Sequence, residues 1–481
     1  MTSHKKFAKD VGIIGLTNLL GALSGLIFLP ILTKNLEIQD YGTWVQILVT
    51  INLIAPLATL MLSSALIRFL SSEKNNSEIK EGFFSVCILV LIMSLIFSTL
   101  LLIFSNIIAE KFTSHEDMIK IIAYLIPIWA LCLVFLDFFR AFQQIRTYSL
   151  LIIFQTYGEV CLMFFFIISG FGLYGALLSL FIIRIILLFT MGYLIISKIG
   201  FKIPDFSKIK EYVSFSLPII PTGLSSWVIN SSDRYIIGFF LGSLYVGFYS
   251  PGYALGSIIG NYVGPLAFIL FPVLSKLHDE NKFEDVKFFL SMSLKYFLLL
   301  AIPSAFGLTL LSKELLIILS TQQIAEEGYL IIPIIALSTI FYGIYVIFSQ
   351  ILFFKNKTKF TAIVWLLASI INIVLNIIII PYYGIIGAAF TMLVVYCFVL
   401  ALTKFYAFKY FDFNIDFGFI MKSIFASVWM SLVIIKWPPV GILRVMITIG
   451  FCAVIYSVIL LLLKGITKEE VRFFKELFKE V

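Results

Sequence analysis

Runs of about 20 apolar residues, separated by short charged connections, recur fourteen times along this 481-residue chain, and no other feature restricts its fold so strongly. A helix rises about 1.5 Å per residue, so each run matches the roughly 30 Å of bilayer hydrocarbon. The expected spans are 11–33, 43–67, 82–107, 118–139, 147–169, 173–197, 213–238, 245–272, 288–311, 328–352, 360–380, 384–403, 419–436 and 443–463. They are continuous rather than alternating, which excludes a transmembrane β-barrel. Composition agrees, with 61% hydrophobic and 13% charged residues, against about 45–50% and about 25% in soluble domains. The formal charge of +8 then belongs to connections flanking spans, and nucleic acid is not an expected partner.

Lys5, Lys6 and Lys9 precede the first run, which at 11–33 is longer than the apolar region of a signal peptide and is expected to remain as a span. Of the 35 basic residues, 26 fall in or near the segments on the N-terminal side of the membrane and 7 in or near those on the other, with Arg184 and Lys295 assigned to span interiors. The positive-inside rule therefore puts both termini in the cytoplasm of a multi-pass cell-membrane protein. The tail 468–481 places Val471, Phe474, Phe478 and Val481 on one helical face, opposite Lys475 and Lys479, as expected of a segment lying on the inner leaflet. Cys87, Cys132, Cys161, Cys397 and Cys452 are scattered singly, and His4, His115 and His278 lack partners at ligand spacing, so neither disulfides nor a metal site is expected. No cofactor is expected.

The chain repeats itself. Leu36, Tyr41, Gly42 and Trp44 are matched 205 residues later by Leu241, Val246, Gly247 and Tyr249, and GLYGA at Gly172–Ala176 is matched 212 residues later by GIIGA at Gly384–Ala388. The two GxxGA segments follow Arg146-Thr147 and Lys357-Thr358. This gives two six-span lobes, 1–200 and 201–410, with two spans and the tail appended over 411–481. Because six is even, the lobes share one orientation, and the repeat is a parallel one about an axis along the membrane normal. The expected fold class is an all-α polytopic membrane protein of about fourteen helices.

The segment 209–255, with Pro218, the Asp233-Arg234-Tyr235 step and Val246-Gly247-Phe248-Tyr249, resembles the start of the second lobe in lipid-linked oligosaccharide flippases. These form the polysaccharide-transporter branch of the multidrug/oligosaccharidyl-lipid/polysaccharide exporter superfamily. FLPILTKNLEIQDYGTW in the first lobe, Arg68 closing the second span and FPVLSKLHDEN after the eighth extend the likeness over nearly the whole chain. The resemblance implies a V-shaped pair of lobes that exports a glycan on a polyprenyl diphosphate by alternating access. It also implies membrane lipids and a glycan polymerase or glycosyltransferase complex as partners. A monomer is expected. The alternatives are a drug/cation antiporter of the same superfamily and a membrane glycan polymerase or ligase. Neither the large external loop of such an enzyme nor a recognisable acid, base, nucleophile or metal constellation is present, so catalysis is not expected.

Moving a sugar diphosphate through hydrocarbon strips water from charges and hydroxyls, which calls for a polar path holding cations and hydrogen-bonding groups. Ionisable residues inside spans are the first candidates because each costs about 2.5–3.5 kcal/mol on insertion. Glu159 and Arg184 lie at similar depth on either side of a turn near Phe171. Either they brace that hairpin, or Arg184 meets the diphosphate while Glu159 handles a coupling cation or proton. Asp233 is the second coupling candidate. Arg234 joins Arg68, Arg140, Lys295, Asn230 and Asn261 as candidate head-group contacts, although Arg68, Arg140 and Lys295 also suit snorkelling to lipid. Asp233 and Arg234, about 100° apart on a helix, are expected to have different partners. Asn18, Asn52, Gln155, Asn372 and Asn376 add uncharged groups, and Gly252, Gly256, Gly260 and Gly264 form a smooth ridge expected to pack against another helix.

Overall fold

A computed structural model describes residues 3–70, 75–110 and 116–465. His115 and the amphipathic tail 468–481 lie outside them. The described residues are helical, without a strand, and fall into two compact units, Met1–Gly247 and Phe248–Val481. Twelve helical runs among them are long and apolar enough to cross a membrane. Two of these, Ile145–Ile199 and Thr358–Tyr410, have 55 and 53 residues, about 80 Å of helix each, far more than one crossing uses. Each is interrupted at glycine, so the architecture accommodates the fourteen spans expected. The chain is a multi-pass membrane protein.

In the first unit α1 (Ser3–Asn35), α2 (Ile38–Ala58), α3 (Leu62–Leu70), α4 (Asn76–Ile103) and α5 (Glu116–Ala141) are followed by the hairpin of α6 (Ile145–Phe166) and α7 (Gly172–Ile199). Then come α8 (Ile209–Ser216), α9 (Ile220–Leu241) and the start of α10 (Ser243–Gly256). Asn75 caps α4, its side chain accepting the Ser77 N–H at 3.0 Å. Two ion pairs, Lys202 with Glu81 and Lys208 with Glu78, strap the connection before α8 to the start of α4. Asp205 in that connection accepts the Ser207 N–H and hydroxyl, which hold its carboxyl below the usual range.

The second unit continues through α11 (Val263–Asp279), α12 (Phe283–Leu310), α13 (Ser312–Leu319), α14 (Gln322–Gly328) and α15 (Ile331–Phe354). The long run α16 (Thr358–Tyr410), α17 (Phe417–Lys436) and α18 (Ile442–Leu462) complete it. Its core joins α12, α15, α17 and α18 through Phe297, Phe348, Ile351, Met430 and Leu460. The glycine ridge packs as its spacing requires. A β-carbon on Gly252 would stand 2.8 Å from Gly328 O, one on Gly256 2.8 Å from Ile335 Cβ, and one on Gly260 3.1 Å from Thr339 Cγ2, while Gly264 faces open space.

Both halves of the sequence repeat have a structural cause. Gly172 has φ 52 and ψ −136, and Gly384, its counterpart, has φ 59 and ψ −145, a region closed to other residues. Three residues on, a β-carbon on Gly175 would lie 2.7 Å from Phe166 Cβ and one on Gly387 2.7 Å from Ile379 Cγ2. The first glycine of each GxxGA breaks the helix and the second admits the preceding arm. The other match is reciprocal: a β-carbon on Gly42 would sit 1.8 Å from Ser243 O, and one on Gly247 2.3 Å from Ile38 O. At an offset of 205, Ser243 is the equivalent of Ile38, so each glycine receives the helix start that precedes the other.

One element departs from the sequence expectation. The second span reads as unbroken helix over 43–67, yet α2 stops at Ala58, and Leu60 and Met61 take φ of 49 and 53 before α3 begins. Left-handed backbone costs a non-glycine residue about 1–2 kcal/mol, and nothing local but Pro56 disfavours helix here. Tertiary packing decides it. A β-carbon on Gly223 would be 2.3 Å from Met61 Cε, so the methionine side chain lies over bare backbone near the start of α9. There the seventh span stays helical but tightens into the 3₁₀ turn Leu217–Ile219 between α8 and α9, where Pro218 and Pro221 remove backbone donors.

Candidate functional site

Charge buried within spans is confined to a few places among the described residues. Arg184 on α7 pairs with Glu159 on α6, Nη2 to Oε1 3.2 Å, and both are almost wholly buried. The guanidinium carbon lies 3.5 Å from the centroid of the Trp129 ring on α5, while Cys132, also on α5, donates its thiol to the Arg184 carbonyl at 3.5 Å. Arg184 Nε has no hydrogen-bond partner among the described residues. The hairpin glycines bring Glu159 and Arg184 to equal depth, as their distances from the turn suggest. Pairing and ring stacking compensate the buried charges, and the spare Nε leaves capacity for another acceptor.

A second polar zone runs along α2 and α9. Trp227 Nε1 donates to the Val49 carbonyl at 3.1 Å, and Thr50 and Tyr235 share a short hydroxyl–hydroxyl hydrogen bond. Gln46 is buried against Gly238, with neither amide atom satisfied. Asp233 and Arg234 do not part company as expected. Arg234 Nη1 is 2.9 Å from Asp233 Oδ1 and donates to the Asn230 carbonyl at 2.6 Å. A long side chain leaning toward the helix N-terminus passes the preceding residue's carboxylate on its way to the carbonyl one turn back, which a count of degrees around the helix overlooks.

Of the remaining candidates, Asn230 belongs to the second zone and the others lie apart from both. Arg68 is exposed, its guanidinium carbon 4.5 Å from the Phe215 centroid. Arg140 is also exposed and pairs with Asp137 at 2.9 Å. Lys295 is buried on α12, with its ammonium 5.2 Å from the Phe419 ring of α17, and so is covered by protein rather than extended to lipid head groups. Asn230 Nδ2 donates to the Ser226 carbonyl, and Asn261 is exposed in the 3₁₀ turn Ser257–Tyr262. In the second unit Asn376 Nδ2 donates to Asn372 Oδ1 at 3.1 Å, both residues fully enclosed. No group of three or more His, Cys, Asp or Glu suited to a metal occurs among the described residues.

Sequence reasoning missed three features. Trp129 is one aromatic among many in an apolar run, and only the fold shows that it covers Arg184. Gln46 was visible as an amide inside a span. The third is an apolar cavity of about 460 Å³ in the second unit, lined by Tyr262, Pro303, Gly307, Met430, Cys452 and Tyr456 among others. Tyr456 donates its hydroxyl to the carbonyl of Leu299, another lining residue, at 2.9 Å and shares a hydrogen bond with Ser423.

Residues 7–278 match the family profile described as "Polysaccharide biosynthesis protein", and residues 257–464 match that of "Lipid II flippase MurJ". Among curated relatives, the "Probable low-salt glycan biosynthesis flippase Agl15" of Haloferax volcanii is 27% identical over 188 residues, covering 39% of this chain and 40% of that protein. The "Uncharacterized membrane protein MJ1068" of Methanocaldococcus jannaschii is 21% identical over 379 residues, 73% of this chain and 74% of that one. The matches to Agl15 and to the "Probable flippase AglR" of the same Haloferax thus span less than half the length of those relatives. Among solved structures, lipid II flippase MurJ in an inward closed conformation superposes with a TM-score of 0.77 at 18% identity, over 94% of this chain and 98% of that one. An inward-facing multidrug resistance transporter of the MATE family gives 0.66 at 15% identity, over 81% and 94%. At these identities the likeness is one of fold.

Proposed function

Since the chain belongs to the polysaccharide biosynthesis protein family, we propose that it is a transporter, not an enzyme, that flips a lipid-linked oligosaccharide from the cytoplasmic to the outer face of the cell membrane. The observation that carries this reading is the family match over residues 7–278, more than half of the chain. The flippases among its relatives support the same substrate class. The carrier is a polyprenyl diphosphate, both termini are cytoplasmic, and the protein works as a monomer beside a glycan polymerase or glycosyltransferase complex. The lobes 1–200 and 201–410, with 411–481 appended, alternate in exposing the head-group path.

In this mechanism the buried pairs act by exchange. Glu159 holds Arg184 while the path is empty, so no lone charge sits in a low-dielectric site. An arriving diphosphate presents several anionic oxygens, takes the guanidinium in a bidentate contact, and leaves Glu159 free to bind a proton or cation. Asp233 and Arg234 repeat the arrangement, Asn230 and Asn261 face sugar hydroxyls, and the exposed Arg68 and Arg140 guide the anion in. The apolar cavity beside Tyr262 and Tyr456 suits part of a lipid chain.

Depleting the protein in its host is expected to leave lipid-linked oligosaccharide accumulating on the inner leaflet, with drug susceptibility unchanged. Increased drug sensitivity without glycan-lipid accumulation would point instead to antiport and overturn the proposal.

A further inference from the structure

The repeat reaches the buried ion pair of the first unit. Gln143 and Asn356, with φ of 52 and 55, follow α5 and α15 and stand 213 residues apart. Their loops make the same backbone hydrogen bonds, Gln144 N to Phe139 O and Lys357 N to Leu352 O. At that offset Trp129 corresponds to Tyr342 and Glu159 to Asn372. The π-helical turn Ile167–Phe171 then adds one residue after α6, so the offset is 212 from Gly172 and Gly384 onward, and Arg184 corresponds to Tyr396. The contact is kept while its chemistry changes. Where the Arg184 guanidinium lies on the Trp129 ring, the rings of Tyr342 and Tyr396 lie 5.2 Å apart. A cation, a carboxylate and an indole in the first unit are replaced in the second by two phenols and an amide.

This second group is polar and partly open. Trp365 completes it, its ring 6.5 Å from Tyr342 at right angles and its Nε1 donating to the Tyr345 hydroxyl. Trp365, Asn372 and Asn376 share one face of α16, opposite the exposed stripe of Leu367, Ile370 and Val374, yet Trp365 and Tyr342 are only half-buried. Asn376 Oδ1 and Thr391 Oγ1, at similar distances before and after Gly384, are buried without a hydrogen-bond partner among the described residues. Buried polar atoms are ordinarily satisfied, so these retain capacity for a further partner.

We propose that this group binds an uncharged pyranose of the glycan. The Tyr342 and Trp365 rings take the apolar faces of the sugar, the Asn376 amide takes its hydroxyl or acetamido groups, and Tyr396 backs the Tyr342 ring. This deepens the transport reading and rests on it, giving the diphosphate to the ion pair of the first unit and the sugar to the rings of the second. A pyranose presents a face of slightly positive C–H bonds that suits the negative face of an aromatic ring, while its edge carries hydroxyls suited to amides. Phenols and amides place no charge at this depth, so a neutral ligand escapes the desolvation cost that an anion without a counter-charge would meet.

Affinity is measured on the full chain in detergent for two fluorescent probes, a polyprenyl diphosphate bearing an N-acetylhexosamine disaccharide and the same lipid diphosphate without sugar. The unsubstituted protein is expected to prefer the sugar-bearing probe, and Tyr342→Phe to keep that preference. Tyr342→Leu, which keeps apolar bulk but not the ring, should lower the preference about fivefold or more. Trp365→Leu should act in the same direction, and it decides the matter where Tyr342→Leu does not fold. Equal affinity of the unsubstituted protein for the two probes would overturn the proposal. So would an unchanged preference in both leucine variants, or a loss of equal size for both probes, the mark of rings that only support the fold. Binding needs no flipping, so the sugar preference can be absent while glycan lipid still accumulates on depletion, and it can be present in a protein whose depletion leaves glycan lipid unchanged.

Discussion

Gly42→Ala is expected to destabilise the protein by about 2 kcal/mol or more and to lower its melting temperature in detergent, although alanine is ordinarily the better helix former. Glycine to alanine inside a helix gains about 1 kcal/mol. At Gly21, where a β-carbon would meet nothing within 4 Å, that gain should appear as neutral or slightly improved stability. At Gly42 the β-carbon would be 1.8 Å from the Ser243 carbonyl oxygen, which belongs to backbone and cannot swing aside. Steric overlap must win there, and the reciprocal Gly247→Ala should act in the same direction. A Gly42→Ala protein melting at or above the unsubstituted one would show that the two helix starts are not in contact.

The same glycines show how far the sequence could be read. GLYGA and GIIGA, and the two YG/VG steps, stood out as a repeat, because backbone reversal and close approach tolerate almost no other residue. Spans were legible because crossing hydrocarbon demands a long apolar run wherever the chain does it. The break at Leu60–Met61 was not legible, since leucine and methionine are good helix formers and the contact seen there, Met61 over Gly223, is made with a residue far away in sequence. Arg184 and Glu159 could be paired from their equal distance to a turn. Trp129, which completes their surroundings, could not, because any of fifty phenylalanines, twenty-two tyrosines or six tryptophans might have covered the guanidinium. The cavity between α12, α17 and α18 was also hidden, being an absence of side-chain volume among residues that look like any membrane interior.

Arg184→Ala is expected to cost about 3–5 kcal/mol of stability, because Glu159 is left buried without its counter-charge. The double variant Glu159→Leu/Arg184→Met removes both charges and should restore the melting temperature to near the unsubstituted value. Stability and transport then separate. If the pair exchanges with the diphosphate, the double variant folds but does not flip substrate, and Arg184→Lys, which keeps charge but loses the planar fork, is slowed. Should the stable double variant transport at the unsubstituted rate, the pair is only a brace for the α6–α7 hairpin, and the head-group contact must be sought at Arg234.

The central claim is that this helical protein carries an anionic, lipid-tethered sugar across oil. Its most direct test is reconstitution into sealed vesicles containing a fluorescent polyprenyl-diphosphate oligosaccharide, followed by exposure to a quencher that cannot cross the bilayer. The account predicts that label on the protected leaflet becomes quenchable in vesicles holding the protein, and stays protected in protein-free vesicles and in those holding Glu159→Leu/Arg184→Met. Protection as complete with the folded, unsubstituted protein as without it would contradict the account.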